Sequence, residues 1–393
     1  MASAWGCQIG PGRLKSASFH YSDAVRVATA EQLLVNLVRL RYRDLPTFLQ
    51  VSNISSQFEL TTAVGADATV KIGGSDFASL GAATLYAERP TMTFDIMGGE
   101  EFQKRMLMPV KVGAISLLAE SGWRGDRLFR VVVEKMNGVP NAARASGPTP
   151  AHAPRYSVFV EATTLLQSLG SAGLIDFEYE TRYEATSDPI PIDQIEGRDV
   201  VDAAQAGVQF RSASDGTVQL VLEERRLVMR FRPRSDGHPD AERLRDLLRL
   251  KRGQRRYDIV AYDDNELDPF EKAQRASQLA LDTRSLMGVL YFLSHAVRAP
   301  QHDVDAGVVT TTVDADGSPF DWAEVIGDLF VVRSSDDRPD NASVAVRHRD
   351  TWFYIADDDE SSKSTFVLLN QLLALQAGDV AQTKPVLTLP VGR

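Results

Sequence analysis

Between residues 50 and 97, strand-forming residues recur at every second position. Phe58 and Leu60, Val70 and Ile72, Leu80, Ala82, Thr84 and Tyr86, then Met92, Phe94 and Ile96 alternate with polar or small residues. A period of two gathers one class of side chain on one face of an extended chain, which a helix of period 3.6 cannot do. Gly65, Gly73, Gly74 and Gly81 punctuate the stretch, so it predicts an antiparallel meander of three or four strands. Edge strands of such a meander are templates for pairing with another copy or for closing a shared barrel.

The flanking segments read differently. Over Ser22–Asp44, Leu33, Leu34, Leu37, Val38 and Arg41 fall at three- and four-residue steps and predict a helix, with Ser22 as N-cap and Pro46 as its stop. Arg39, Arg41 and Arg43 then complement the helix dipole. Helices are predicted at 100–107, 113–120 and 126–136. Pro140, Pro148, Pro150 and Pro154 mark residues 137–155 as extended, poorly packed backbone. Beyond them the patterns predict helices at 157–169 (closed by Gly170), 198–206, 240–250, 276–298 and 364–376. Strands are predicted near 174–183, 218–223 paired with 227–232, 257–261, 308–313, 329–333, 343–347, 351–355 and 385–389. Helices and strands come in runs, so the fold class is α+β. The division that follows is a flexible segment at 1–20, a helix-plus-meander domain at 21–137, a Pro-rich linker at 138–156 and an α+β domain at 157–393.

A chain of 393 residues buries a substantial core without disulfides or metal staples. The net charge of −10 opposes phosphate backbones, and the local basic runs are short, notably Arg252–Arg256, which Asp258, Asp263 and Asp264 follow, so no nucleic-acid partner is expected. The longest apolar cluster, Leu286–Leu293, is far shorter than the roughly 18–20 residues that span a bilayer. The single cysteine, Cys7, excludes an internal disulfide and a thiolate zinc cluster. Gly6 supplies the small residue that precedes an acylated cysteine, but Ala4 and Trp5 fit such a signal poorly and no basic start or apolar run precedes them.

Phosphate-binding, zinc-protease and serine-hydrolase motifs are absent. The best catalytic candidates are Ser294 and His295 with His302, Asp303 and Asp305, yet neighbours in sequence on a helix do not face one another. Asp314, Asp316 and Gly317 read as a turn, since the third ligand and terminal Glu of a calcium loop are missing. Asp357–Glu360 reads as an acidic helix start. Trp322, Trp352, Phe353 and Tyr354 read as core aromatics. No catalytic, metal or cofactor role is assigned to any residue.

Glu31–Tyr42, Glu88–Thr93, Arg347–Asp357, Ser362–Phe366 and Pro385–Pro390 together resemble an uncharacterised family of proteobacterial envelope proteins, over most of the chain. In that family the first helix lies shortly after a lipoprotein-type cysteine. The resemblance implies that Cys7 is the acylated residue of a longer precursor. It carries no catalytic residue. The reading that follows is a non-enzymatic envelope protein, lipid-anchored through Cys7 on the periplasmic face of a bacterial membrane, acting by homo-oligomerisation or with an envelope protein partner. Two alternatives stay open: a soluble hydrolase using His295 or His302 with the nearby aspartates, and a cytosolic interaction module in which Cys7 is incidental. In cells fed a clickable fatty acid, the anchored reading predicts label on the wild-type chain and none on Cys7→Ala; an unlabelled wild type contradicts it.

Overall fold

The computed structural model describes residues 11–65, 81–96, 99–147, 151–212, 216–262, 276–309, 311–377 and 387–390. In chain order, α1 (Pro11–Arg41) leads to a long hairpin, β1 (Leu49–Gly65) and β2 (Gly81–Ile96). Three short helices follow, α2 (Glu100–Leu107), α3 (Val112–Glu120) and α4 (Gly125–Val132), then β3 (Val133–Met136) and β4 (Val139–Pro140). Next come α5 (Ser157–Ser171), β5 (Ile175–Ala185), β6 (Ile190–Pro191), α6 (Gly197–Gln205), β7 (Val208–Ser212), β8 (Thr217–Phe231), α7 (Pro239–Leu247), β9 (Arg256–Ala261) and β10 (Gln278–Thr283). The chain closes with α8 (Leu286–Ser294), α9 (Gln301–Asp305), α10 (Ala323–Ile326), β11 (Arg333–Ser335), β12 (Ala342–His348), β13 (Thr351–Ala356), α11 (Glu360–Ala377) and β14 (Leu387–Pro390). The fold is α+β, as the segment order implies.

The strands form three sheets. The central one runs β4-β3-β10-β9-β8-β5, with β6 and β7 also on β8; β9 and β10 are parallel and the other pairs antiparallel. A smaller sheet runs β11-β13-β12, and the third runs β1-β2-β14. Among the described residues, the expected three- or four-stranded meander is represented by two long strands, joined by a segment remote in sequence. Gly65 pairs with Gly81 at the far end of the ladder instead of interrupting it. Val70, Ile72, Gly73, Gly74 and Leu80 lie outside the described residues.

The root of the hairpin is fixed by one side chain. Asn36 is fully buried on α1. Its Nδ2 donates to the Thr47 carbonyl at 2.8 Å, and its Oδ1 accepts from the Thr47 amide at 2.9 Å. An amide side chain bonded both ways substitutes for a strand partner, so the chain leaving α1 turns directly into β1. The helix itself buries Leu33, Leu34, Leu37 and Val38, as the spacing implies. It begins at Pro11 instead of Ser22 and ends at Arg41, with Arg43 at φ 61° before Pro46.

The segment at 138–156 is not a linker between two domains. One apolar core runs from Leu33 to Leu372 and includes Val139, Ala142 and Ala145. β3 and β4 pair into the same sheet as β5, β8, β9 and β10. The reason lies at Val132, where the expected helix over 126–136 becomes strand β3. That switch leaves carbonyls at the end of α4 without helical partners. Arg284, fully buried, supplies the donors. One of its terminal nitrogens donates to the Val133, Val131 and Arg130 carbonyls at 2.8, 3.2 and 3.3 Å; the other donates to the Asn141 carbonyl, and Nε to Ser146 Oγ at 3.2 Å. Asn141 Nδ2 adds donations to the Arg130 and Val133 carbonyls at 2.8 and 2.7 Å. The guanidinium lies 4.0 Å from the Phe292 ring centroid. The proline-bearing stretch is thus held by the polar centre of the core.

Four other expectations change. Residues 276–298 form strand β10 and then α8, because Ser285 caps the helix by accepting from the Gly288 amide at 3.0 Å. Residues 217–231 are one strand, not a hairpin: Glu224 and Arg226, which suggest a turn, pair with each other at 2.6 Å in mid-strand. Helix α5 passes Gly170, and Gly173 at φ 65° follows its end. Among the described residues of the strand expected at 308–313, only Val313 makes bridge pairings, to His152 and Pro319.

Replacing Arg284 with Met orphans several buried carbonyls and is expected to cost about 3–5 kcal/mol. The urea midpoint should fall in one cooperative transition, and Arg284→Lys should recover only part, since an ammonium cannot fork across four carbonyls. An unchanged midpoint contradicts this role.

Candidate functional site

The catalytic candidates do not form a nucleophile–base pair. Ser294 Oγ donates to the Tyr291 carbonyl at 2.7 Å, back along its own helix. His295 is 6% exposed and stacks on Trp322 with ring centroids 4.1 Å apart and planes 12° apart. Neither of its ring nitrogens makes a hydrogen bond of normal geometry. Burial lowers its pKa to about 3; the charges of Arg41 and Arg284 act in the same direction, and the Ala145 backbone acts against them. At neutral pH this is an uncharged aromatic plate in the core. His302 is exposed on α9, 3.4 Å from Asp303 Oδ1, and Asp305 accepts from Gln301 at 2.8 Å.

A hydroxyl, a carboxylate and an imidazole do meet elsewhere. Tyr42 Oη donates to Asp303 Oδ2 at 2.6 Å, and His302 sits on the carboxylate's other oxygen. The Tyr42 ring lies edge-on to His348 and Phe353 at 5.2 and 6.0 Å, and Arg349 lies 5.0 Å from its centroid. Asp44 pairs with Arg349 at 3.2 Å, and His348 Nε2 lies 3.2 Å from its Oδ2 without a hydrogen bond of normal geometry. Burial first, then the bond to Asp303, raise the pKa of Tyr42, so its proton stays in place. The cluster braces the end of α1 against α9 and the β12–β13 turn. Tyr42 and Asp303 are 261 residues apart, so no local motif signals them.

The remaining sequence features are structural. Asp316 accepts from the amide and hydroxyl of Ser318 at 2.9 and 2.6 Å, closing a turn around Gly317 at φ 86°. Asp359 caps α11 through the Ser362 amide at 3.0 Å. Trp322 and Phe353 are core residues. Arg41 is largely buried, not part of a solvated dipole face, and burial lowers its pKa to about 10. The Arg252–Arg256 run is internally paired: Arg252 with Asp246, Arg255 with Asp236, Arg256 with Glu180. Among the described residues no cluster of three or more His, Cys, Asp or Glu could hold a metal, and no helix is long and apolar enough to cross a membrane. Cys7 lies outside the described residues.

The hairpin is the feature with no counterpart in the body. Its register runs from Leu49↔Ile96 to Gly65↔Gly81, with one irregularity between Val51 and Asn53. At about 3.3 Å per residue its strands extend roughly 50 Å. Alternation along that register places Leu49, Val51, Ile54, Phe58, Leu60 and Val64 on the same face as Tyr86, Met92, Phe94 and Ile96. The opposite face carries Gln50, Asn53, Ser55, Gln57, Glu59 and Thr61 with Arg89, Thr91, Thr93 and Asp95. Glu88 and Leu85 are the main departures. β14 covers β2 only at Thr91–Phe94, so among the described residues the outer edge of β1 and the Gly81–Pro90 edge of β2 are unpaired.

No family model, curated protein or solved structure matches this chain.

The His295 environment has a pH signature. Its folded pKa lies below the ordinary 6.5, so the unfolded chain binds the extra proton; the stability this residue confers is complete above pH 6.5 and is lost as pH falls toward 3. His295→Phe keeps an aromatic plate on Trp322 and removes the proton. Urea midpoints between pH 7 and pH 4 should therefore fall less steeply in the variant, by at most about 1.4 kcal/mol per pH unit for one proton. Identical slopes contradict a buried neutral imidazole.

Proposed function

We propose that this is a non-enzymatic, self-associating envelope protein whose copies pair their hairpins edge to edge into one closed, bilayer-spanning β-barrel, with the α+β body at its rim. The observation that carries the reading is the β1–β2 ladder, with one apolar face, one polar face and two open edges. The edge of β2 left free by β14, Gly81–Pro90, is ten register positions long. A transmembrane β-strand needs about 9–11 residues. Pairing β1 of one copy with that edge of the next is a head-to-tail contact, which closes into a ring when the rotation allows. Closure removes the edges, and the alternation gives an apolar outside and a polar lumen.

The His295 form of the hydrolase alternative loses its support, because the hydroxyl of Ser294 is turned back on its helix and His295 is packed against Trp322. The resemblance to envelope proteins with a lipoprotein-type cysteine favours placing the assembly at a membrane, with acylated Cys7 holding each copy at the bilayer before its hairpin inserts. Multi-chain acylation would make that anchoring stable.

Full-length protein added to dye-loaded phospholipid vesicles should release the dye and yield ring oligomers on detergent extraction. Leu60→Arg, on the apolar face, should abolish release, since a lipid-facing arginine costs about 2–4 kcal/mol per copy near the midplane. Thr61→Arg, on the polar face, should retain it. A monomer at micromolar concentration that leaves vesicles intact, or equal effects of the two substitutions, would overturn the proposal.

A further inference from the structure

The body contains a cavity of about 400 Å³ where α3, α4 and α5 meet the central sheet. That volume lies in the range of small-molecule sites. Its floor is apolar and buried: Ile115, Leu128, Phe129, Leu166, Ile175 and Leu281. Its mouth carries Glu120, Arg124, Asp126 and Asp176. Three of these are paired. Arg124 donates to both oxygens of Asp126 at 3.1 and 2.9 Å, and Asp176 is held by Arg232. Glu120 is exposed and has no ion-pair partner among the described residues, so the paired rim carries one net negative charge. Trp123, fixed by an indole N–H donated to Gln371 at 2.8 Å, lines the same mouth and adds an aromatic ring beside that charge.

We propose that this cavity binds an amphiphile that buries an apolar chain and presents a cationic or uncharged head at the Glu120 rim. The buried polar side chain of the lining, Ser116, already donates its hydroxyl to the Val112 carbonyl at 3.1 Å, so the apolar chain enters first. A carboxylate head would meet Glu120 without a free cation to offset it, since Arg124 is already held bidentately. The site is independent of the hairpin and survives if the barrel does not.

The test uses the full chain and the neutral fluorophore N-phenyl-1-naphthylamine, displaced below micellar concentration by dodecyltrimethylammonium, dodecanol or dodecanoate. Saturable binding of one fluorophore is expected, displaced by the ammonium and the alcohol on the order of tenfold more tightly than by dodecanoate. Gly170 lines the cavity, and a Cβ there meets only the Ile175 carbonyl oxygen at 4.0 Å. Gly170→Leu should therefore fill the mouth and weaken fluorophore binding by about tenfold or more. Glu120→Lys, at an exposed position that leaves the core untouched, should reverse the preference between dodecanoate and the ammonium. The proposal is overturned if folded Gly170→Leu binds the fluorophore as the wild type does, or if Glu120→Lys leaves the head-group order unchanged.

Discussion

A guanidinium surrounded by backbone carbonyls at the centre of the core sets the terms for everything around it. Burying Arg284 is costly, and burial lowers its pKa to about 10, yet it remains a cation at neutral pH. What offsets the cost is the end of α4, where the chain passes from helix to strand and leaves carbonyl oxygens with no helical donor. One side chain from the β10–α8 junction satisfies them, and Asn141 completes the set. Neither half of this arrangement is stable alone. Carbonyls without Arg284 would be buried and unpaired, and Arg284 without them would be an uncompensated buried charge. This is why residues from both ends of the chain share one core.

That rigid body gives the hairpin a fixed base. Asn36 ties the exit of α1 to Thr47 while Tyr42, just past the end of the helix, is pinned by Asp303. The polar groups that look catalytic in isolation are consumed in such bracing. Tyr42, Asp303 and Asp44 hold elements together, and His295 serves as a packing surface. In the proposed reading, recognition falls to the two faces and two edges of the hairpin and to the cavity beneath α5.

Much of this was legible in the residues. The apolar stripe of α1, the alternation at 50–97, the α+β order and the helix at the carboxyl end each follow from periodicity, which reports local burial. The errors share a cause, since each depends on a partner remote in sequence. Residues 278–283 look helical until β9 is known to lie alongside them. Glu224 and Arg226 look like a turn until β5 is found alongside them, at Arg182 and Glu180. The proline-rich stretch looks like a linker until Arg284, more than a hundred residues away, is found bonded to Asn141. Tyr42 was invisible as a site residue for the same reason. The Glu88 and Leu85 positions, which break the facial pattern of the hairpin, follow from neither periodicity nor register.

In the proposed assembly, the free edge of β1 is completed by another copy. Hydrogen–deuterium exchange of β1 amides, on the full chain before and after assembly on vesicles, addresses it directly. In an edge strand alternate amides lack a partner. Half of the β1 amides between Asn53 and Gly65 should exchange freely in the dispersed protein and become protected on assembly, while those bonded to β2 should be protected in both. Unchanged rapid exchange of the outward-facing set in the membrane-bound protein would contradict it.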